Sequence, residues 1–127
     1  MAILAELKCT TCTTGDDAMN EQEIKTFLKE IPDWELVRSD SVDKLRRLFE
    51  FRDYSSAVDF TVQVAALAEA ADHHPSIQLE WGKTIVTWWT HAVNGLHKND
   101  FIMAAKTSRA YKMRKPRKKA NREIGLN

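Results

Sequence analysis

Residues 69–91 read EAADHHPSIQLEWGKTIVTWWTH. The stretch passes from a helix into two strands, and the rest of the chain is read outward from it. Apolar residues recur at helical spacing up to Ala71. Pro75 cannot continue a helix, and it biases His74 before it to extended backbone. Ser76 to Trp81 then reads as one strand. Thr84 to Thr90, dense in β-branched and aromatic residues, reads as another. Gly82-Lys83 between them is a tight hairpin signal.

Upstream, the long helix starts at Asp53 or Ser55 and runs through Ala71. Ala57, Phe60, Val64, Leu67 and Ala71 form one stripe on it. Val58, Val62 and Ala65 lie roughly opposite, on the side that also carries Glu69. A surface helix normally has one apolar face. Two faces imply the sheet on one side and a second chain on the other, or a helix fully buried within one chain. Before this helix come two more strands, around Trp34 to Arg38 and Leu45 to Phe51, with a turn near Ser39 to Asp43. Asn20 and Glu23 fit a capping box for a first helix carrying Ile24, Phe27, Leu28 and Ile31, which Pro32 stops. After Asn94-Gly95, Asn99 or Asp100 opens a third helix with Phe101, Ile102 and Ala105. The order is α-β-β-α-β-β-α. Two hairpins separated by a helix give an α+β domain: a four-stranded antiparallel sheet with three helices packed on one face.

Composition sets the frame. The 127 residues hold 19 Lys and Arg against 18 Asp and Glu, a formal charge of +1. This fits one domain, spanning residues 20–112. Residues 1–19 read as a flexible arm with a CxxC, and 113–127 as a basic tail. No apolar run approaches the roughly 20 residues of a membrane span. The start, MAILAELKCTTC, lacks the charged and long apolar regions of a secretory leader, so a cytoplasmic protein is expected. Cys9 and Cys12 are the only cysteines. Without a second pair they make a weak zinc signal and read as reduced thiols. The basic run YKMRKPRKKANR has no repeating aromatic platform, so nucleic acid is disfavoured as a partner and the tail reads as solvated.

Three of the four histidines lie in the opening stretch: His73, His74 and His91. Imidazole exchanges protons near neutral pH. His73 lies at the helix C-terminus, with Glu69 four residues earlier on the same face and placed to orient it. Singly, each histidine is a cap or a strand-end residue, and Trp81 and Trp89 are core. A three-histidine metal site is disfavoured, because adjacent residues in extended backbone point apart.

Jointly, the spacing is specific: Glu69, three residues, His73-His74-Pro75, five residues, Trp81, nine residues, His91, eight residues, Asp100. It resembles the signature of the pterin-4a-carbinolamine dehydratases, over about residues 20–110. The resemblance implies dehydration of a 4a-hydroxytetrahydropterin to a quinonoid dihydropterin and water, in recycling of a tetrahydrobiopterin-type cofactor, by histidine acid/base catalysis and with no cofactor or metal. It implies His73, His74 and His91 as the catalytic set, with His74 mainly holding the pterin. It implies Glu69 and Asp72 as orienting groups, and Pro75, Trp89, Thr90 and Trp34 beside the ring. Trp81 and Asp100 are motif positions of structural character. It implies a homodimer or homotetramer that uses the helix over residues 55–71 and the sheet edges.

The chain departs from animal members at Asn99, where they carry arginine. The resemblance also leaves room for a non-catalytic binding, assembly or dimerisation module, since some relatives serve as Rubisco assembly factors, and for a role in molybdopterin metabolism.

Overall fold

The computed structural model describes residues 3–10 and 17–114. Its elements are α1 (Glu21–Leu28), β1 (Glu35–Ser39), β2 (Val42–Glu50), α2 (Tyr54–Ala71), β3 (Ser76–Glu80), β4 (Lys83–Trp88) and α3 (Lys98–Lys112), with short 3-10 turns at Leu4–Glu6 and His91–Val93. The four strands form one antiparallel sheet in the order β1-β2-β4-β3. This is the α+β fold and element order read from the sequence.

Local chemistry explains the element ends. Asn20 and Glu23 make the expected reciprocal capping box at α1. Asp53 caps α2 by accepting the Ser56 N–H at 2.8 Å. The first hairpin closes through Asp40 and Ser41, both at positive φ (54° and 63°), the backbone of a two-residue turn matched to strand twist. The second hairpin closes one residue earlier than the Gly82-Lys83 signal suggests. Glu80 pairs with Lys83, leaving Trp81-Gly82 as the turn, with Gly82 at φ 74°. Trp81 therefore stands 72% exposed in a turn and is not core.

Leu45 and Phe49 of β2 and Val86 and Trp88 of β4 share the inner face of the sheet. They are buried with Phe60 and Val64 of α2 and with Phe101 and Met103 of α3. The α1 helix joins through Ile24 and through Phe27, whose ring lies 5.3 Å from that of Phe101. On α2, Ala57, Phe60, Val64 and Ala68 are buried, while Val62 is 62% exposed. On the second apolar stripe Val62 and Ala65 are thus exposed and Val58 half-buried, which removes the reading of a helix fully buried in one chain. No helix among the described residues is long and apolar enough to cross a membrane.

Three stretches differ from expectation. β4 ends at Trp88, and Thr90 bridges to Gly95 instead of continuing along β2. His91 is therefore in a loop turn, not at a strand end. α3 begins at Lys98, because the His97 ring accepts the Asn99 N–H at 3.0 Å and so caps the helix. Part of the stretch expected as a flexible arm is packed: Leu4 and Ala5 are buried against the body of the fold. Cys12, and with it the CxxC pair, and the basic residues from 115 onward lie outside the described residues.

Candidate active site

Three chain segments meet at one end of the sheet. The first is the C-terminus of α2. Asp72 adopts the left-handed conformation (φ 51°, ψ 43°), and its N–H reaches the carbonyls of Ala68 and Glu69. The His73 N–H also bonds the Ala68 carbonyl, at 3.1 Å. This is a Schellman-type ending, with aspartate at a position that favours glycine. Left-handed backbone in a non-glycine residue costs on the order of 1–3 kcal/mol and is concentrated at functional sites. The tight ending turns His73 back toward the fold. Extended backbone before Pro75 then sends His74 the other way.

The second segment is the first turn of α3. Asp100 is fully buried. Its Oδ1 lies 2.6 Å from His73 Nε2, and its Oδ2 accepts the Thr90 hydroxyl at 2.7 Å and the His97 N–H at 3.0 Å. A buried carboxylate is stable only with such partners, and the N-terminal end of a helix favours negative charge. An ionised carboxylate only accepts hydrogen bonds, so His73 Nε2 carries the proton between them. The His73 ring is also stacked on Trp88, with centroids 5.5 Å apart and planes 19° from parallel. Trp88 is itself held by its N–H to Thr107. The contact with Asp100 uses Nε2 of the His73 ring and not Nδ1.

The third segment is the loop after β4. The Trp89 ring lies 4.9 Å from the His91 ring, and Lys44 Nζ sits 4.2 Å from the Trp89 centroid on the opposite strand. The Thr90 backbone N–H and carbonyl are both taken by Gly95. Together the segments enclose a cleft of about 450 Å³, lined by Asp72, His73, His74, Trp89, Thr90 and His91, with Ala71, Ala92, Cys9, Thr10 and Asn99 completing the walls. That volume lies within the usual range of small-molecule clefts, about 300–1,000 Å³. Burial pushes the Cys9 thiol above its ordinary value; Lys106 opposes that shift and Asp100 adds to it.

The structure brings His73, His74, His91, Asp72, Trp89 and Thr90 to one cleft. It does not bring the others. Trp34 is buried in the core, with its N–H on Ser108 and its ring edge-on to Phe49. Trp81 lies in its exposed turn, and Pro75 does not line the cleft. Glu69 pairs with His74, not with His73. The partner of His73 is Asp100, a position read from the sequence as structural. Of the remaining wall residues, Asn99 stands out in sequence only as a departure from animal members and Cys9 only as half of a CxxC, and Thr10 carries no signal. Among the described residues no three His, Cys, Asp or Glu side chains converge on a metal position.

Residues 17–110 match the family described as pterin 4 alpha carbinolamine dehydratase. A Marinobacter nauticus protein is 46% identical over 111 residues, covering 87% of this chain and all of the relative. A Nitrosococcus oceani protein is 46% identical over 112 residues, covering 88% of this chain and 99% of the relative. Both are named pterin-4-alpha-carbinolamine dehydratases on a provisional basis. Among solved structures, a Brucella melitensis transcriptional coactivator/pterin dehydratase superposes with TM-score 0.67 at 32% identity, over 73% of this chain and 97% of that one. A pterin dehydratase-like Rubisco assembly factor of the alpha-carboxysome gives TM-score 0.54 at 20% identity, over 62% and 89%, a likeness of fold alone.

Proposed function

The chain belongs to the pterin 4 alpha carbinolamine dehydratase family, and from that premise we propose that its cleft removes water from a 4a-hydroxytetrahydropterin to leave the quinonoid dihydropterin. In this reaction the C4a–oxygen bond breaks, a C4a=N5 double bond forms and the N5 proton is lost. One proton goes to the departing hydroxyl and one comes from N5, so none is consumed. No oxidation state changes, so the step requires no redox cofactor.

The observation that carries this reading is a histidine fixed by a buried carboxylate at the edge of a cleft that also presents a second histidine. His73 and His91 are assigned the two proton transfers. Such assistance is typically worth about 10²–10⁴-fold. Asp100 holds the His73 ring by Nε2 and so presents Nδ1. Its charge stabilises the protonated ring whichever way the proton runs. His74, anchored by Glu69, and Trp89, braced by Lys44, are assigned to holding the pterin. Thr90 acts through Asp100, because its backbone groups are already paired. Asp72 shapes the helix end that aims His73.

The test is rapid-mixing spectroscopy of 4a-carbinolamine dehydration with and without the purified chain. A rate well above the spontaneous one is expected. A rate no faster than the spontaneous one would overturn the enzyme reading and leave a non-catalytic module on the same scaffold.

The same reading includes a second copy of the chain on the exposed stripe of α2. Val62 is 62% exposed there. Sedimentation should show an oligomer that Val62→Asp dissociates; a monomeric unaltered chain would remove this part.

A further inference from the structure

We infer that residues 4–10 form a strap that completes the wall of the cleft, and that Asn99 is the positioning residue that locks it. The strap is fastened at both ends to one face of α3. At one end Leu4 and Ala5 are 4% and 5% exposed. There the Ala5 carbonyl accepts both Lys106 Nζ at 3.0 Å and Arg109 Nη2 at 2.9 Å. At the other end the Asn99 amide reads the backbone of one residue twice. Its Oδ1 accepts the Thr10 N–H at 2.9 Å, and its Nδ2 donates to the Thr10 carbonyl at 2.7 Å. A side-chain amide can make both bonds because it carries a donor and an acceptor side by side. Asn99 is 3% exposed, so each amide atom left without its partner would be an unsatisfied buried group.

The placement makes the strap part of the site. Cys9 and Thr10 line the cleft together with Asn99 itself. Asn99 precedes Asp100 in the first turn of α3, and Asp100 holds His73. One helical turn therefore sets the strap and the His73 ring in register. The strap lies before the stretch that matches the family, which begins at residue 17. Nothing in the dehydratase reading assigns it a role. The claim that the strap touches substrate rests on that reading; the claim that Asn99 locks the strap does not.

The clamp is tested through Cys9 in the full-length chain. Its thiol is half-buried and pushed toward the protonated form by burial, so alkylation reports opening of the strap. Iodoacetamide modification at Cys9 is followed by peptide mass spectrometry in the unaltered chain, in Asn99→Ala, in Thr10→Pro and in the double variant. Thr10 is exposed, so Thr10→Pro removes the backbone donor without disturbing the core, and it keeps the test open should Asn99→Ala fold poorly. Losing the two hydrogen bonds should accelerate alkylation about tenfold or more, given typical net worths for such bonds. The double variant should match the faster single variant within about twofold, because both changes break one contact. An unchanged rate in Asn99→Ala, or effects that multiply in the double variant, would overturn the clamp.

The wall is tested by steady-state dehydration. The expected result for Asn99→Ala is a KM raised about tenfold with kcat within about threefold, since binding surface is lost and the acid/base groups stay. Faster alkylation with KM unchanged would sink the wall. If the unaltered chain dehydrates no pterin, the dehydratase reading and the wall fall together, and the alkylation result still decides the clamp.

Discussion

His73 and His74 are neighbours in sequence, and each has a carboxylate partner at hydrogen-bond distance. His73 meets Asp100 at 2.6 Å, with side chains 14% and 0% exposed; His74 meets Glu69 at 2.5 Å, with side chains 54% and 77% exposed. Distance does not separate the two pairs; exposure does. An exposed pair gains little, because water and salt screen it and two mobile side chains must be held still. Around Asp100, Thr90 and His97 supply further donors and Trp88 fixes the ring plane, so the geometry is set before any ligand arrives. Surroundings, more than distance, separate a ring that can be aimed from one that can only touch.

The contrast breaks most easily at the histidines themselves. His73→Ala should lower kcat for pterin dehydration by about 10²–10⁴-fold, the usual worth of a positioned acid/base group. His74→Ala should act chiefly on KM. Equal losses of kcat in both variants would erase the distinction. A step below is Asp100→Asn. An amide at this position keeps one acceptor but turns an NH2 group toward donors, and the His73 ring loses the partner that fixes its tautomer. The expected losses are about 10²-fold in kcat and about 2–3 kcal/mol in unfolding free energy by denaturant titration, the scale for leaving buried polar groups mispaired. Smaller again is His97→Ala. It removes the acceptor for the Asn99 N–H but leaves the backbone N–H that bonds Asp100. It should cost about 1 kcal/mol, and His97→Ser, a good capping residue, should recover most of that.

The hairpins, the helix between them and the cap at Asn20 were legible because each rests on local chemistry: alternating apolar residues, Pro75, Gly82 and a capping box. The cleft histidines were legible through their spacing to Pro75 and Trp81. What was not legible depended on tertiary contact. The i,i+4 rule pointed Glu69 at His73, but the left-handed residue at Asp72 turns His73 away from its own helix and across to α3. Asp100 is a motif position whose hold on His73 is hidden, since nothing in sequence tells a buried carboxylate that caps a helix from one that also holds a ring. His97 caps α3 although capping preferences favour small polar residues, so no sequence pattern marks it. Only the resemblance sets Trp34 beside the ligand, and its N–H is spent on Ser108. Asn99 and Thr10 of the strap are 89 residues apart in sequence, a pairing no local pattern announces.

The mildest change examines the exposed half of the contrast. Glu69→Gln keeps the shape of the side chain and removes its charge. If the His74 pair is as weakly coupled as its exposure implies, unfolding free energy should change by less than about 0.5 kcal/mol, and less still at high salt, where exposed charges are screened. The dehydration KM should rise only a fewfold, because the glutamine can still hold His74 by a neutral hydrogen bond. A loss of several kcal/mol, or one insensitive to salt, would mean that Glu69 is shielded from water in solution. The most direct source of that shield is a second chain, since Glu69 lies on the helix whose Val62 stripe this chain leaves uncovered. Repeating the measurement in Val62→Asp separates the cases: a large Glu69→Gln effect that shrinks there belongs to the oligomer, and one that persists belongs to the site.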